Sequence, residues 1–256
     1  MKLISWNVNG IRAISTKGFL EWLSKESPDI LCLQETKAHP DQLGFELTHP
    51  EGYFSHFHSS QVKKGYSGVV TYSKVKPISV REGFGIEKFD QEGRCVVTEF
   101  KDFTLYNVYF PNGKASSERL QYKLEFYEAF LKHIESERKK GKKIIFTGDV
   151  NTAHKPIDLA RPKENEDISG FLPIEREWMD RVVKHGYIDS LREFHPEPGL
   201  YTWWSMRSGA RERNVGWRID YFFLQKELRK SLMSAYVSPE VMGSDHCPVV
   251  VELDFG

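Results

Sequence analysis

The sequence has no surplus of charge. Its 256 residues carry 36 Lys+Arg against 36 Asp+Glu, which excludes a protein that coats nucleic acid or membrane by net charge. A local basic face set against an acidic site stays possible. Cysteine is scarce and odd in number: Cys32, Cys95 and Cys247 each sit in or beside an apolar, strand-like stretch. That usage argues against a disulfide framework or a zinc site and predicts reduced core thiols in a reducing compartment. No apolar run approaches the roughly 18 residues of a membrane span. The start of the chain, Met1-Lys2-Leu3-Ile4-Ser5-Trp6, enters a strand pattern at once and has none of the parts of a secretory signal. The expectation is an intracellular, cytoplasmic protein with no membrane contact. No linker, internal repeat or low-complexity tract divides the chain, so residues 1–256 are expected to form one domain.

What is present is an alternation of strands and helices. Leu3–Trp6 and Ile30–Leu33 are short buried strand patterns, separated by a helix expected from about Thr16 to Glu26, capped by Ser15 or Thr16 and closed by Pro28. Tyr53–His58, Gly68–Ser73, Cys95–Phe100 and Phe103–Tyr109 read as strands divided by Gly, Pro and charged turns, implying antiparallel or mixed pairing. From Ser117 to Lys140, Leu120, Leu124, Tyr127, Leu131 and Ile134 recur at spacings of four and three, which predicts one long helix stopped by Gly141. A strand at Lys143–Thr147, a polar loop Ala153–Leu172, a helix Pro173–His185 and strands at Ile219–Leu224 and Val249–Leu253 follow. The class is α/β or α+β with a sheet-on-sheet core.

Three strand patterns end alike, in acids and amides: Asn7-Val8-Asn9-Gly10, Gln34-Glu35-Thr36-Lys37 and Gly148-Asp149-Val150-Asn151. A fourth polar segment, Gly243-Ser244-Asp245-His246-Cys247-Pro248, precedes the last strand. Adjacent residues on extended backbone point to opposite faces, so Asp245 is badly placed to orient His246, and a partner from elsewhere in the chain is expected. Singly, each strand end reads as turn chemistry. Together, Asn7, Glu35, Asp149, Asn151, Asp220, Asp245 and His246 supply hard oxygens, amide donors and one imidazole without a cysteine, which suits magnesium-assisted chemistry on phosphate.

With these residues in view, the chain resembles the exonuclease III family of apurinic/apyrimidinic endonucleases, in the superfamily of endonucleases, exonucleases and phosphatases that includes deoxyribonuclease I. The resemblance runs through Ser5–Arg12, Leu33–Lys37, Gly65–Val69, Tyr109–Asn112, Gly148–Asn151, Asn214–Tyr221 and Gly243–Pro248, and so spans nearly the whole chain. It implies a single endonuclease/exonuclease/phosphatase domain. The fold would be a four-layered α/β sandwich, two mixed β-sheets packed face to face and flanked by helices.

The activity so implied is a Mg2+-dependent phosphodiesterase, with Mn2+ able to substitute, cutting 5′ to abasic sites and acting 3′–5′ on ends. Its partner would be double-stranded DNA with abasic or 3′-blocked sites, met by a monomer. By the same resemblance Glu35 is the principal metal ligand, joined by Asp245, Asn7, Asp149 and Asn151. Asp149 aligns or activates the attacking water with Asn151, while His246, oriented by Asp220, and Tyr109 meet the phosphate. Trp203, Trp217 and Ile219 match the family's abasic-sugar pocket, and Arg12, Lys37, Tyr66, Arg94, Asn112, Asn165 and Arg207 match its DNA-contacting positions. Asn9 stands where some members carry aspartate, Lys114 near where some carry arginine or glutamine, and Trp203 where some carry phenylalanine.

Plainer readings apply to other residues. Trp204 reads as core, and the run Arg138–Lys143 as a solvated helix end. Cys247 reads as inert packing. Of the histidines other than His246, His154 is the best functional exception. Competing readings for the whole protein are a superfamily phosphatase acting on a small phosphoester and a catalytically silent DNA-binding module. The Asn214–Tyr221 segment argues against the first. A full set of carboxylates facing a polyanion argues against the second.

Overall fold

A computed structural model describes residues 1–256. Fourteen strands alternate with helices in chain order: β1 Lys2–Asn7, β2 Ile30–Gln34, β3 Phe54–His58, β4 Val69–Ser73, β5 Ser79–Glu82, β6 Cys95–Glu99, β7 Thr104–Val108, β8 Ile144–Asp149, β9 Tyr187–Asp189, β10 Trp203–Trp204, β11 Gly216–Trp217, β12 Asp220–Gln225, β13 Leu232–Val237 and β14 Val249–Leu253. They form two six-stranded sheets, ordered β13-β14-β1-β2-β4-β3 and β5-β6-β7-β8-β12-β9, with β10 and β11 as a separate pair. Each sheet has one parallel pairing, β1 with β2 and β7 with β8, among antiparallel ones. Both sheets are therefore mixed, as expected.

The layers follow from which faces are apolar. Leu3, Ile30, Cys32 and Val251 of the first sheet meet Leu105, Ile145, Phe222 and Leu224 of the second in the middle of the sandwich. Ile14, Phe19 and Leu23 cover the outer face of the first sheet against Trp6, Leu31 and Val250. On the second, Phe126 and Phe130 of the long helix Ser117–Lys139, with Trp178 of the helix Pro173–Lys184, pack on Tyr106, Phe146 and Phe223. Full burial of such side chains is worth about 1.5–3 kcal/mol each, so these three seams carry the fold. One polar tie crosses the central seam. Gln34 donates to Asn107 Oδ1 at 2.8 Å, and Asn107 donates to Val70 O at 2.9 Å, which holds the two sheets in register near one rim.

That rim is where the polar strand ends converge. β1, β2 and β8 deliver their C-terminal ends to it, and antiparallel β12 begins there, with Asp220 opposite Asp149 in the ladder. Gly148 permits the approach of β8 to β7: its φ is 136°, and a Cβ there would lie 1.9 Å from Val108 O.

The first helix differs from expectation. Two helices occupy the region, Ile11–Ser15 and Phe19–Glu26, the second entered through Gly18 at φ 85°. Ser15 and Thr16 do not cap it, because their hydroxyls bond back to Arg12 O and Ala13 O at 2.8 and 2.9 Å and so end the preceding turn. Strands β5, β9 and β13 carried no clear pattern. β5 is exposed along its length, β9 has three residues, and a register shift between Leu232 and Ser234 breaks the alternation of β13.

Candidate active site

Strained turns build the site. Asn9, Glu35, Lys37 and Asn151 have φ of 49°, 52°, 52° and 56°, a left-handed conformation that costs such residues on the order of 1–3 kcal/mol each. The backbone around them is over-determined, which is why the strain persists. Gly10 N donates to Glu35 O at 2.7 Å, Ile11 N to Thr36 O at 2.9 Å and Lys37 N to Ser67 O at 2.8 Å.

At the centre, Asp149 on β8, Asp220 on β12 and His246 before β14 place their ligating atoms within 4.8 Å of one another, all buried. His246 Nδ1 lies 2.8 Å from Asp220 Oδ2, so its orienting partner comes from a distant part of the chain, not from Asp245. Its other nitrogen, Nε2, faces Asp149 Oδ2 at 4.0 Å. Thr202 donates its hydroxyl to the same Asp220 oxygen at 2.6 Å. Asp149 accepts from Asn151 N at 2.7 Å, from Asn7 Nδ2 at 2.9 Å and from Asn151 Nδ2 at 3.2 Å.

Charge is unevenly matched here. Burial pushes the Asp149 carboxyl up, with Asp220 and Glu35 adding to the shift. Burial opposes the charged form of His246, but Asp220, Asp149 and Asp245 outweigh it and raise its pKa. Both shifts say that the cluster is rich in negative charge and favours retaining a proton.

Glu35 sits to one side. Burial works against its charge, yet Lys37, Asn7 and Tyr109 hold its pKa below the usual range, so it stays a carboxylate. Tyr109 is nearly buried, and burial with Glu35 beside it keeps the phenol protonated and a donor. Asp245 accepts from Asn9 Nδ2 at 2.9 Å and from Trp203 Nε1 at 3.0 Å.

This donor set fits a hard divalent cation: its anionic groups are carboxylates, no thiolate is among them, and a cationic group already lies against Glu35. Lys37 Nζ rests 2.8 Å from Glu35 Oε2 and 2.5 Å from Asn9 Oδ1. The two amides are bonded through both their oxygens and their nitrogens. Asn7 turns its oxygen to Asn9 N at 3.0 Å and spans Glu35 and Asp149 with its nitrogen. Asn151 gives its oxygen to Asn112 Nδ2 at 2.8 Å. Through their nitrogens both hold the carboxylates.

The sequence profile of the Endonuclease/Exonuclease/phosphatase family matches residues 4–246. The chain belongs to that family. An exodeoxyribonuclease of Bacillus subtilis (strain 168) is 46% identical over 251 residues, covering 97% of this chain and 98% of that protein. An AP endonuclease from Archaeoglobus fulgidus superposes with a TM-score of 0.90 at 30% identity, covering 99% of each chain. A 3′ phosphatase from Neisseria, solved with a product DNA hairpin, superposes with a TM-score of 0.91 at 28% identity over the whole of both chains.

Beside the charged centre of this endonuclease/exonuclease/phosphatase fold lies an apolar cluster. Trp203 and Trp217 pack with Ile219, Leu159, Phe171 and Ala153. The two indoles meet edge to face, centroids 6.4 Å apart at 81°. Trp203 is partly exposed while Trp204 is buried, as strand alternation predicts.

The expected DNA-contacting residues divide. Arg12, Asn112 and Arg207 are exposed on the surface. Asn165 is partly buried and donates to Arg161 O at 2.7 Å, bracing its own loop. Lys37 turns inward to Glu35. Arg94 is 2% exposed. It pairs with Glu92 at 2.6 Å, donates to Tyr109 O at 3.0 Å and to the Tyr66 hydroxyl at 2.7 Å, and lies 4.8 Å over the Tyr109 ring. These contacts tie Tyr109 and Tyr66 together. His154 stands outside the site, paired with Asp180 at 2.8 Å.

Sequence reasoning missed the supports. Lys123 and Glu175, both fully buried, pair at 2.6 Å, and Lys123 donates to Asn151 O at 2.7 Å. Glu175 in turn accepts from Gly170 N at 2.6 Å. A lysine inside an otherwise apolar helical stripe was the available signal. Thr202 was legible only as the residue on the strand face opposite Trp203.

Proposed function

We propose that the protein is a Mg2+-dependent DNA-repair phosphodiesterase that incises duplex DNA 5′ to abasic sites and removes blocked or normal nucleotides from 3′ ends, with Mn2+ as a substitute ion. The observation that carries the reading is the juxtaposition of two things on one rim. The His246–Asp220 pair faces Asp149 across 4.0 Å, and an apolar cluster bearing two partly exposed tryptophans adjoins it. The first is equipment for displacement at phosphorus. The second suits a deoxyribose without its base, since apolar rings offer no polar partner to the base of a flipped intact nucleotide.

In this reading a water beside Asp149 attacks the phosphorus in line with the departing 3′ oxygen. The carboxylate of Asp149, made more basic by its burial, accepts the water's proton, while Asn7 and Asn151 keep it in place. His246 presents Nε2–H to a non-bridging oxygen, held in that orientation by Asp220. Tyr109 donates its hydroxyl to the phosphate side, with Arg94 fixing the ring. A divalent cation, held by Glu35 with Asp245 and Asp149, would supply Lewis-acid stabilisation of the charge that develops on the phosphoryl oxygens.

The test is a duplex with a single abasic analogue, incubated with Mg2+ or with a chelator. Incision 5′ to the lesion only with the metal is the expected result. Absence of incision, or release of phosphate from a soluble phosphoester instead, overturns the reading.

A further inference from the structure

We propose that Lys114 forms a covalent imine with the aldehyde of a ring-opened abasic residue, giving the protein a metal-independent reaction with damaged DNA. The inference rests on the reading of the tryptophan cluster as the abasic-sugar pocket. Lys114 Nζ lies 5.2 Å from the centroid of Trp203 and 5.0 Å from that of Trp217. Because those rings stand at 81° to each other, a group within reach of both sits in the corner that they make. The backbone beneath it is anchored to the reaction centre. Lys114 N donates to Asn112 Oδ1 at 2.8 Å, and Asn112 donates to Asn151 at 2.8 Å.

The other primary amines nearby are committed elsewhere. Lys123 Nζ is bound to Glu175, Asn151 O and Thr152 Oγ1, and Lys37 Nζ to Glu35 and Asn9. The Lys114 amine is held by ring faces, which leaves its lone pair free once a proton departs. Lys114 is exposed as a residue, yet desolvation of its amine by the groups around it lowers its pKa against the pull of Glu175 and Asp149, enlarging the unprotonated fraction.

The chemistry follows from the lesion. A deoxyribose without a base opens in part to a C1′ aldehyde. The Lys114 nitrogen attacks that carbon and forms the C–N bond, and the carbonyl oxygen takes up the proton shed by nitrogen to give a carbinolamine. Loss of hydroxide as water, with one proton from solvent, leaves a C=N iminium. The iminium is again a cation, so the two indole faces that held the ammonium hold the product as well. Water reverses each step, which makes the bond a reversible tether on an extruded lesion.

The experiment traps the imine. Full-length protein is incubated in chelator with a duplex carrying a true abasic site and sodium cyanoborohydride, and the adduct is mapped by peptide mass spectrometry. A reduced tetrahydrofuran analogue, which has no aldehyde, is run in parallel with Mg2+. A crosslink on Lys114 that falls at least about tenfold in both Lys114→Ala and Lys114→Arg, each with a wild-type melting temperature, supports the proposal. No crosslink, a crosslink mapped to Lys37 or another amine, or one that persists in Lys114→Ala overturns it. Incision of the analogue without a crosslink defeats the imine alone. Failure of both defeats the pocket reading with it.

Discussion

Arg218 and Asp220 stand two residues apart at the head of β12, and each anchors a buried cluster of charge. Around Arg218 the charges balance. Its guanidinium donates to Asp158 Oδ1 at 2.8 Å and grips Asp189 with two bonds at 3.0 and 2.6 Å, while Arg192 reaches Asp158 at 2.5 Å. Burial acts against the Asp158 carboxylate, but Arg218 and Arg192 outweigh it and hold its pKa down at about 2. Around Asp220 they do not balance. Two carboxylates share one imidazole, Asp149 is pushed upward, and Asp220 Oδ1 has no hydrogen-bond partner. The same depth of burial therefore yields opposite outcomes. A satisfied cluster holds the sandwich together, whereas an under-paired one keeps the capacity to take a proton and to bind cationic groups.

The comparison breaks most visibly in turnover. Asp149→Asn and His246→Ala should each lower the incision rate on an abasic duplex by about 10²–10⁴-fold. Asp149→Asn should leave the melting temperature unchanged or raised, because it relieves repulsion; a large loss of stability would make that cluster structural after all. Arg218→Ala is the mirror experiment. It takes the guanidinium from Asp189 and one of the two from Asp158 and should cost about 3–5 kcal/mol in urea unfolding, with the activity of the remaining folded fraction far less affected than in the Asp149 variant.

A titration sharpens the contrast. The folded pKa of Asp158 is depressed, so its contribution is complete above the unfolded value near 4. It is lost as pH falls through that value towards about 2. The loss should amount to about 2 kcal/mol, seen as a urea midpoint that declines between pH 5 and pH 2.5 and declines less in Asp158→Asn. Arg207, exposed and outside both clusters, should show the smallest effect. Arg207→Ala should weaken duplex binding mildly and reduce the slope of log affinity against log salt by about 1.

Much of the site was legible because its residues sit at strand ends, where turn chemistry and short spacing make acids and amides conspicuous. Asn7, Glu35, Asp149 and His246 could be singled out by that means, and strand geometry pointed the partner of His246 away from Asp245, while Asp220 itself came from the family resemblance. The direction of a long side chain could not be read in the same way. Arg94 and Lys37 share their residue types with surface phosphate-binding positions, yet one is sealed under Tyr109 and the other turned to Glu35. A flexible stem lets a cation choose between solvent and a buried carboxylate, and neighbours remote in sequence make that choice.

The sequence by itself determined the interleaved α/β class, the long helix, the buried strands and the residue types at the rim, since periodicity and turn preference are local properties. Tertiary structure alone decided which sheet each strand joins, which amide oxygens face inward, and which cations are spent on packing. It also decided that Arg218 is satisfied and Asp220 is not. Charge balance in a buried cluster depends on groups brought together from positions 149, 158, 189, 192, 220 and 246, and only the folded chain sets their distances.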